Sequence, residues 1–232
     1  MNDFFQRLRP QTNSVSLAEK LRSGIAGGIA IFALGSILHF LPQGTYQIVM
    51  LGSIAASAVL LFAVPHSPLA QPWNLVGGHL ISAIPGWWCG VLIDDPVIAG
   101  AVAVGLAIFL MYYLACLHPP GAATALTLVI ASQQFHPMGG AWTLYIIAAN
   151  VLTFLVLGLV LNNLLPDRHY PTLTAVAPAP PKPGPFIALE SADIAWALSR
   201  MDSTIDVSEQ DLAIIYQHAL EHAQTRMEQH PS

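Results

Sequence analysis

Six apolar segments follow one another between residues 24 and 165, separated by short polar or proline-containing stretches. They cover residues 24–41, 46–64, 75–93, 97–117, 119–132 and 141–165. A helix needs about 20 apolar residues to cross the hydrocarbon core of a bilayer. The first, second, fourth and sixth segments have about this length. The pattern therefore predicts an all-α, polytopic membrane domain over residues 24–165.

The third and fifth segments are weaker candidates for crossing. Pro85 and Gly86 interrupt the third, and the fifth has room for only about 21 Å of helix. Either all six segments cross, or four cross while these two enter the membrane and return. We favour four crossings, with the third and fifth segments entering from opposite faces and directing their N-terminal ends at a shared midplane.

Charge is segregated along the chain, which is 54% hydrophobic and only 9% charged. All eight Lys and Arg residues lie outside residues 24–163, and Asp94 and Asp95 are the only formal charges within that range. Basic residues near both ends place both termini in the cytoplasm by the positive-inside rule. We expect a multi-pass protein of a bacterial inner membrane, with residues 1–23 as a cytoplasmic lead-in.

A histidine and two prolines separate the fourth and fifth segments. Consecutive prolines cannot continue a helix but suit the first positions of a new one, so His118 is placed to cap it. Small residues follow, and the new N-terminus should offer free N–H groups and partial positive charge. The stretch is either a tight helix corner or a solute site. The candidate residues are His118, Pro119, Pro120, Gly121, Ala122 and Thr124.

A second interruption, residues 65–79, combines histidines with prolines in the same way. Asn74 is predicted to cap the third segment. Polar backbone near a membrane is tolerated where it is buried in protein or lines a cavity, and paired broken helices are typical of a transporter's solute site. The alternative is two ordinary proline turns. The candidate residues here are His66, Ser67, Gln71, Asn74, Gly77, Gly78 and His79.

Three stretches make the chain resemble a known family. They are SPLAQPWNLVGGHLISA (67–83), LHPPGAATAL (117–126) and the region from Asn162 to Pro171. Together they resemble the HPP family of integral membrane proteins, named for the motif found here at residues 118–120. Members are usually described with four membrane-spanning helices, and plant relatives are implicated in nitrite movement across the chloroplast envelope. The resemblance implies a permease for a small anion.

The residue types also favour an anion. The membrane domain lacks the carboxylates that usually hold cations, and its polar groups are imidazoles, hydroxyls, amides and helix N-termini. The absence of Arg and Lys argues against a large, multiply charged solute, so a monovalent ion such as nitrite fits. His66, His79 or His118 could couple transport to protons or serve only as caps. No metal-ligand spacing occurs, and we expect no metal, no cofactor and buried thiols at Cys89 and Cys116.

The C-terminal region is predicted to comprise an Ala/Pro-rich linker (166–186) and a two-helix cytoplasmic tail (187–232). Its acidic balance argues against nucleic acid as a partner. The small apolar core of the tail suggests that it docks on a copy of itself or on the membrane domain, and we expect a homo-oligomer. A membrane scaffold or sensor acting through this tail is the alternative function. No enzyme is expected, since no nucleophile or metalloprotease motif occurs in the membrane domain.

Overall fold

The computed structural model describes residues 15–41, 50–166 and 168–172, together with Tyr216. The chain divides into two units. One unit is Leu21–Val176, and the other combines Met1–Lys20 with Ala177–Ser232. Regular structure in the described residues is entirely helical, which confirms the predicted all-α class. The predicted linker and two-helix tail lie almost wholly outside the described residues, although Tyr216 is helical.

Seven α-helices and two 3-10 turns follow in order along the described chain. They are α1 (Leu17–Phe40), α2 (Ser53–Ala63), the turn Pro68–Ala70, α3 (Pro72–Leu92), α4 (Pro96–Tyr113), α5 (Pro119–Ile130), α6 (Ser132–Phe135), the turn His136–Met138 and α7 (Gly139–Leu164). Four stretches are long and apolar enough to cross a membrane: α1, α3, α4 and the run Ser132–Leu164. The helices α2 and α5 are shorter.

The first helix begins earlier than its apolar segment. The Ser16 hydroxyl accepts a hydrogen bond from the Glu19 N–H at 3.1 Å, so Ser16 caps the helix that starts at Leu17. The end of the predicted lead-in, residues 17–23, and the first apolar segment are therefore one continuous helix.

The helices α3, α4 and α5 define the two ends of the bundle. Near the start of α3, Trp73 Nε1 donates to the Leu114 carbonyl just after α4, so α3 and α4 are antiparallel. Gly78 lies against His118, and Gly86 lies against Ala125, so α5 runs parallel to α3. We call the end where α3 begins and α4 finishes the histidine end. The opposite end, where Asp94 and Asp95 join α3 to α4, is the aspartate end.

The other helices continue the alternation. In α7, Gly140 lies beside Trp87 near the end of α3, so α7 runs back toward the histidine end. Helix α2 runs parallel to α7, because its ends are bonded to Asn150 and Asn162 in turn. In α1, Gly27 lies near Phe62 at the end of α2, so these two are antiparallel. The six main helices thus alternate in direction.

The lengths of two segments differ from the prediction. The second segment was expected to span, but in its described part, residues 50–64, the helix α2 covers only 11 residues. The third, expected to break at Pro85, is a continuous 21-residue helix with Pro85 inside it. A proline in a membrane helix is tolerated where neighbouring helices compensate for its lost hydrogen bond. Here Gly86 brings α3 against the backbone of α5 beside the proline, where a Cβ on Gly86 would lie 2.7 Å from Ala125 Cα.

The expected opposite-face arrangement of the two interruptions is also wrong. The Asn74 amide donates to the Leu117 carbonyl at 2.8 Å, and His118 Nδ1 lies 2.8 Å from the Leu69 carbonyl oxygen. Both interruptions therefore meet at the histidine end. The two short helices are α2 and α5, and they are antiparallel where they touch each other inside the bundle, because Ser53 and Ser57 bond Thr124 and His118 in turn.

Small residues set the closest helix contacts. The inward face of α4 carries buried Ala99, Ala103 and Ala107, while most of its large apolar side chains are exposed, as suits a helix facing lipid. Among the small-residue pairs visible in the sequence, Gly121/Ala125 lies at a tight contact with α3. By contrast, no atom of the described residues approaches a Cβ position on Gly24, Gly28, Gly52 or Gly105 within 4 Å.

Candidate solute site

Two histidines from separate motifs meet inside the bundle. His79 lies on α3 and His118 lies at the N-terminus of α5, and both side chains are completely buried. Their ring centroids are 5.1 Å apart in an edge-on arrangement. The Ser57 hydroxyl of α2 lies between them, 2.9 Å from Nε2 of each ring. Three helices therefore contribute one side chain each to a shared polar contact.

Two more hydroxyls extend this contact. Thr124 Oγ1 on α5 is 2.6 Å from His79 Nδ1, and it is 2.8 Å from the Ser53 hydroxyl at the start of α2. Both side chains are buried. We call the five connected side chains the histidine network: Ser53, Ser57, His79, His118 and Thr124.

The donor and acceptor roles can be assigned starting from the Leu69 carbonyl oxygen, which can only accept a hydrogen bond. His118 must therefore carry a proton on Nδ1, and as a neutral imidazole it accepts at Nε2. Ser57 then donates to His118 and is left to accept from Nε2–H of His79. This assignment fixes the tautomers of both rings.

The remaining directions follow from the tautomer of His79. With its proton on Nε2, His79 accepts at Nδ1, so the Thr124 hydroxyl donates to it. The Thr124 oxygen then accepts from Ser53. With both rings neutral, every hydrogen bond in the network points the same way, from Ser53 toward the turn at Leu69.

The N-terminus of α5 differs from the expected anion cradle. Pro119 and Pro120 have no N–H, and the N–H of Gly121 donates to the His118 carbonyl at 2.7 Å. His118 occupies the N-cap position, yet its ring makes no capping hydrogen bond. The free N–H groups predicted after the prolines are thus missing from this turn. The polar atoms available there belong to side chains.

Two glycines allow the motifs to approach so closely. A Cβ on Gly78 would collide with the His118 side chain, and a Cβ on Gly121 would collide with the Gly78 carbonyl oxygen. Both positions therefore require glycine for packing. The contact brings His118 against α3, one residue before His79.

The other residues of the first interruption have structural partners. Ser67 accepts from the Leu69 N–H and caps the 3-10 turn, while Gln71 donates to the Pro65 and Ser67 carbonyls. Asn74 lies inside α3 and is not its cap, which is at Gln71. Gly77 packs against Cys116. These residues join the two interruptions around the network.

The remaining four candidates contribute no polar side-chain atom to the network. His66 is exposed, with Nδ1 3.5 Å from the Thr172 hydroxyl. Pro119 is exposed, Pro120 is buried, and Ala122 is partly buried.

Three buried serines were missed from the sequence. Ser53 and Ser57 are four residues apart in an otherwise apolar helix, a spacing that puts both on one face. Ser82 lies three residues after His79 on α3 and is completely buried, and its hydroxyl has no hydrogen-bond partner. The periodic spacing of these hydroxyls was the available signal.

Comparison with known proteins agrees with these motifs. The family model for the HPP transmembrane region matches residues 12–171. The chain belongs to the HPP family. Two transmembrane proteins of Dictyostelium discoideum are similar to it, at 39% identity over 154 residues and 41% over 150 residues. The matches cover 64% and 62% of this chain and 49% and 51% of those proteins.

This HPP chain therefore spans about half the length of the curated relatives it matches. No solved structure matches it. The match and the four long apolar helices identify it as a multi-pass membrane protein of the HPP family.

The matched HPP region ends in a short strap, residues 168–172, that returns to the first interruption. The Tyr170 hydroxyl donates to the Ala70 carbonyl at 2.7 Å, next to the carbonyl that holds His118. Burial raises the pKa of this phenol above its usual range, so it stays protonated at neutral pH. The strap thus fixes the turn that orients the histidine network.

Proposed function

We propose that this protein is a membrane permease for a small monovalent anion such as nitrite. The observation that carries the proposal is the histidine network, a group of five buried polar side chains within an apolar helical bundle. Buried polar groups are costly in a membrane and tend to mark solute or proton pathways. The network lies between α2 and α5, the two helices too short to cross.

The chemistry of the network supports an anion over a cation. Its groups are imidazoles and hydroxyls, which can donate hydrogen bonds to an anion's oxygens. Asp94 and Asp95, the only carboxylates of residues 24–163, belong to the aspartate end. Ser82 adds a buried hydroxyl beside Gly121, with its oxygen 3.0 Å from that glycine's Cβ position. A small planar anion needs few donors, and this group supplies them without a fixed charge.

The proposal includes neither a metal nor a catalytic group. Within the part of the chain that the structure describes, no three His, Cys, Asp or Glu side chains come together as metal ligands. Ser57 bonds both imidazoles through Nε2, which fits a relay or binding role for its hydroxyl.

Uptake into liposomes containing the purified protein tests the proposal. Nitrite, nitrate, formate and chloride are compared, with protein-free liposomes as the baseline. We expect uptake of nitrite, and we expect His118→Ala to reduce it by about tenfold or more, the effect of losing a buried hydrogen bond worth 1–3 kcal/mol. His39→Ala, at the exposed end of α1, is the matched control and should keep the wild-type rate.

Two results would contradict the proposal. One is uptake by the wild-type protein no faster than by empty liposomes for all four anions. The other is an equal loss of thermal stability and transport in His118→Ala, which would make this histidine a purely structural group.

We also propose that both termini are cytoplasmic in a bacterial inner membrane. The alternating helices put the start of α1 and the end of α7 at the same end of the bundle, and the Lys and Arg residues nearest to the membrane domain, Lys20, Arg22 and Arg168, flank that end. Asp95 would then be external. In a Cys89→Ala/Cys116→Ala background, Asp95→Cys should react with a membrane-impermeant thiol reagent in intact cells. Labelling only after lysis would contradict this orientation, because Asp95 would then lie inside the cell.

A further inference from the structure

We infer that the histidine network is a proton relay, so that the protein moves a proton together with its anion. The inference rests on the proposed permease function and names its coupling ion. It is carried by the order of the hydrogen bonds, in which Ser57 joins the Nε2 atoms of two different histidines. A solute site built only for binding has no need for such a direct link between two imidazoles.

The transfer step requires only rearrangement of existing hydrogen bonds. When His79 holds an extra proton, its Nε2–H bond breaks as a bond forms to Ser57 Oγ. The original Ser57 O–H bond breaks as a bond forms to Nε2 of His118. One proton has then moved from His79 to His118, and Ser57 is again a neutral hydroxyl. Water on the two sides of the membrane is the proton's source and its final acceptor.

The outer hydrogen-bond partners of the two histidines lie at different positions along the bundle, which gives the relay a direction. His118 bonds the Leu69 carbonyl in the turn at the histidine end. His79 is bonded instead to Thr124, two turns along α5 toward the aspartate end. Transfer from His79 to His118 therefore moves charge along the bundle axis.

Among the described residues, no charged side chain is bonded to either ring. The groups that face the two imidazoles are Ser57 from α2, the Leu69 carbonyl from the turn, Gly78 from α3 and Thr124 from α5. Cys116, another titratable side chain in this region, packs against Gly77. Residues 24–163 contain no Lys, Arg or Glu, and Asp94 and Asp95 belong to the aspartate end. An extra proton on either imidazole therefore has no counter-ion that would trap it there.

The test measures proton and nitrite movement together in liposomes that contain the full-length protein. An internal pH dye reports protons, nitrite is assayed separately, and protein-free liposomes correct for leakage of nitrous acid. The variants are Ser57→Ala, which removes the linking hydroxyl, and Ser57→Thr, which keeps it. Ser36→Ala is the matched control, because the Ser36 hydroxyl bonds only the Phe32 carbonyl of its own helix.

We expect the wild-type protein, Ser57→Thr and Ser36→Ala to move protons in a constant ratio to nitrite. Ser57→Ala should lose the proton component, so that its ratio falls to the protein-free level. Wild-type measurements in heavy water add a readout that needs no variant, and the coupled movements of protons and nitrite should slow together.

Distinct results separate the inference from the function beneath it. Nitrite uptake without protons in the wild-type protein would overturn the relay and leave the permease intact. An unchanged proton-to-nitrite ratio in Ser57→Ala would also overturn the relay. Absence of both fluxes in the wild-type protein would overturn the relay and the permease together.

Discussion

The two short helices, α2 and α5, have nearly equal lengths but are held in the bundle by different means. Helix α5 is held by backbone contact, since Gly121 and Ala125 press against Gly78 and Gly86 of α3. Helix α2 is held by two amides of α7. Asn150 accepts from the Leu51 N–H, and the Asn162 amide donates to the Leu61 carbonyl.

This difference shows two ways of ending a helix inside an apolar bundle. The start of α5 needs few external acceptors, because its prolines have no N–H to satisfy. Helix α2 has unsatisfied groups at its ends, so side chains of another helix must supply their partners. The position of α5 depends on close packing of backbone atoms, and the position of α2 depends on side-chain hydrogen bonds. Each can be disrupted separately.

The largest loss is expected from Gly121→Ala, which breaks the backbone contact of α5. The new Cβ would collide with the Gly78 carbonyl oxygen and would lie 2.7 Å from its carbon, and backbone atoms cannot rotate away. We expect a cost near the upper end of the roughly 1–3 kcal/mol typical of overpacking. Thermal unfolding in detergent measures it.

Gly105→Ala is the matched control for that substitution. Its Cβ position on α4 has no atom within 4 Å, and alanine favours helix over glycine by about 0.8–1.0 kcal/mol. It should leave stability unchanged or raise it. Equal melting temperatures for Gly121→Ala and Gly105→Ala would show that the tight contact does not hold α5.

An intermediate loss is expected from Asn150→Leu, which removes an amide that holds α2. The Leu51 N–H would lose its acceptor, and a buried unsatisfied donor costs about 1–3 kcal/mol. Gln133→Leu makes the same chemical change at an exposed position on α6 and should cost little. Equal unfolding midpoints for the two variants would show that the Asn150 amide does not hold α2 in place.

The smallest stability effect is expected from Thr124→Val, which tests the contact between the two short helices. It removes the donor to His79 Nδ1, for a loss of about 1 kcal/mol. Thr127→Val lies one turn along α5 and removes only a bond to the Ala123 carbonyl of the same helix. Nitrite uptake should fall in the first variant and persist in the second. Equal uptake by both would exclude Thr124 from the transport site.

These two helices also show what the sequence could predict. Local signals were sufficient for α5, because Pro119 and Pro120 mark its start and the Gly121/Ala125 pair marks its contact face. The length of α2 was predicted wrongly, because its start depends on an amide 99 residues later in the chain. Pro85 misled the prediction for α3 for a similar reason, since the supporting contact comes from Ala125 on another helix.

The candidate site, too, could be predicted from the sequence only in part. His79 and His118 were visible as motif residues, and the predicted membrane domain around them is confirmed. Their joining through Ser57 was not visible, because the spacing of Ser53 and Ser57 indicates a shared helix face but not which helices that face contacts. Only the packing of α2 against α3 and α5 selects Ser57.

Arg168 has a consequence for the order in which the bundle is completed during synthesis. Its guanidinium donates to the Asn162 side chain at 3.0 Å and to the Ser23 hydroxyl at 2.9 Å, across 145 residues of chain. Helix α1 therefore acquires this bond only after α7 and Arg168 have been translated. Until then α1 lies in the membrane with this connection unformed. Arg168 thus links the residues after α7 to Ser23 of α1 late in the assembly of the bundle.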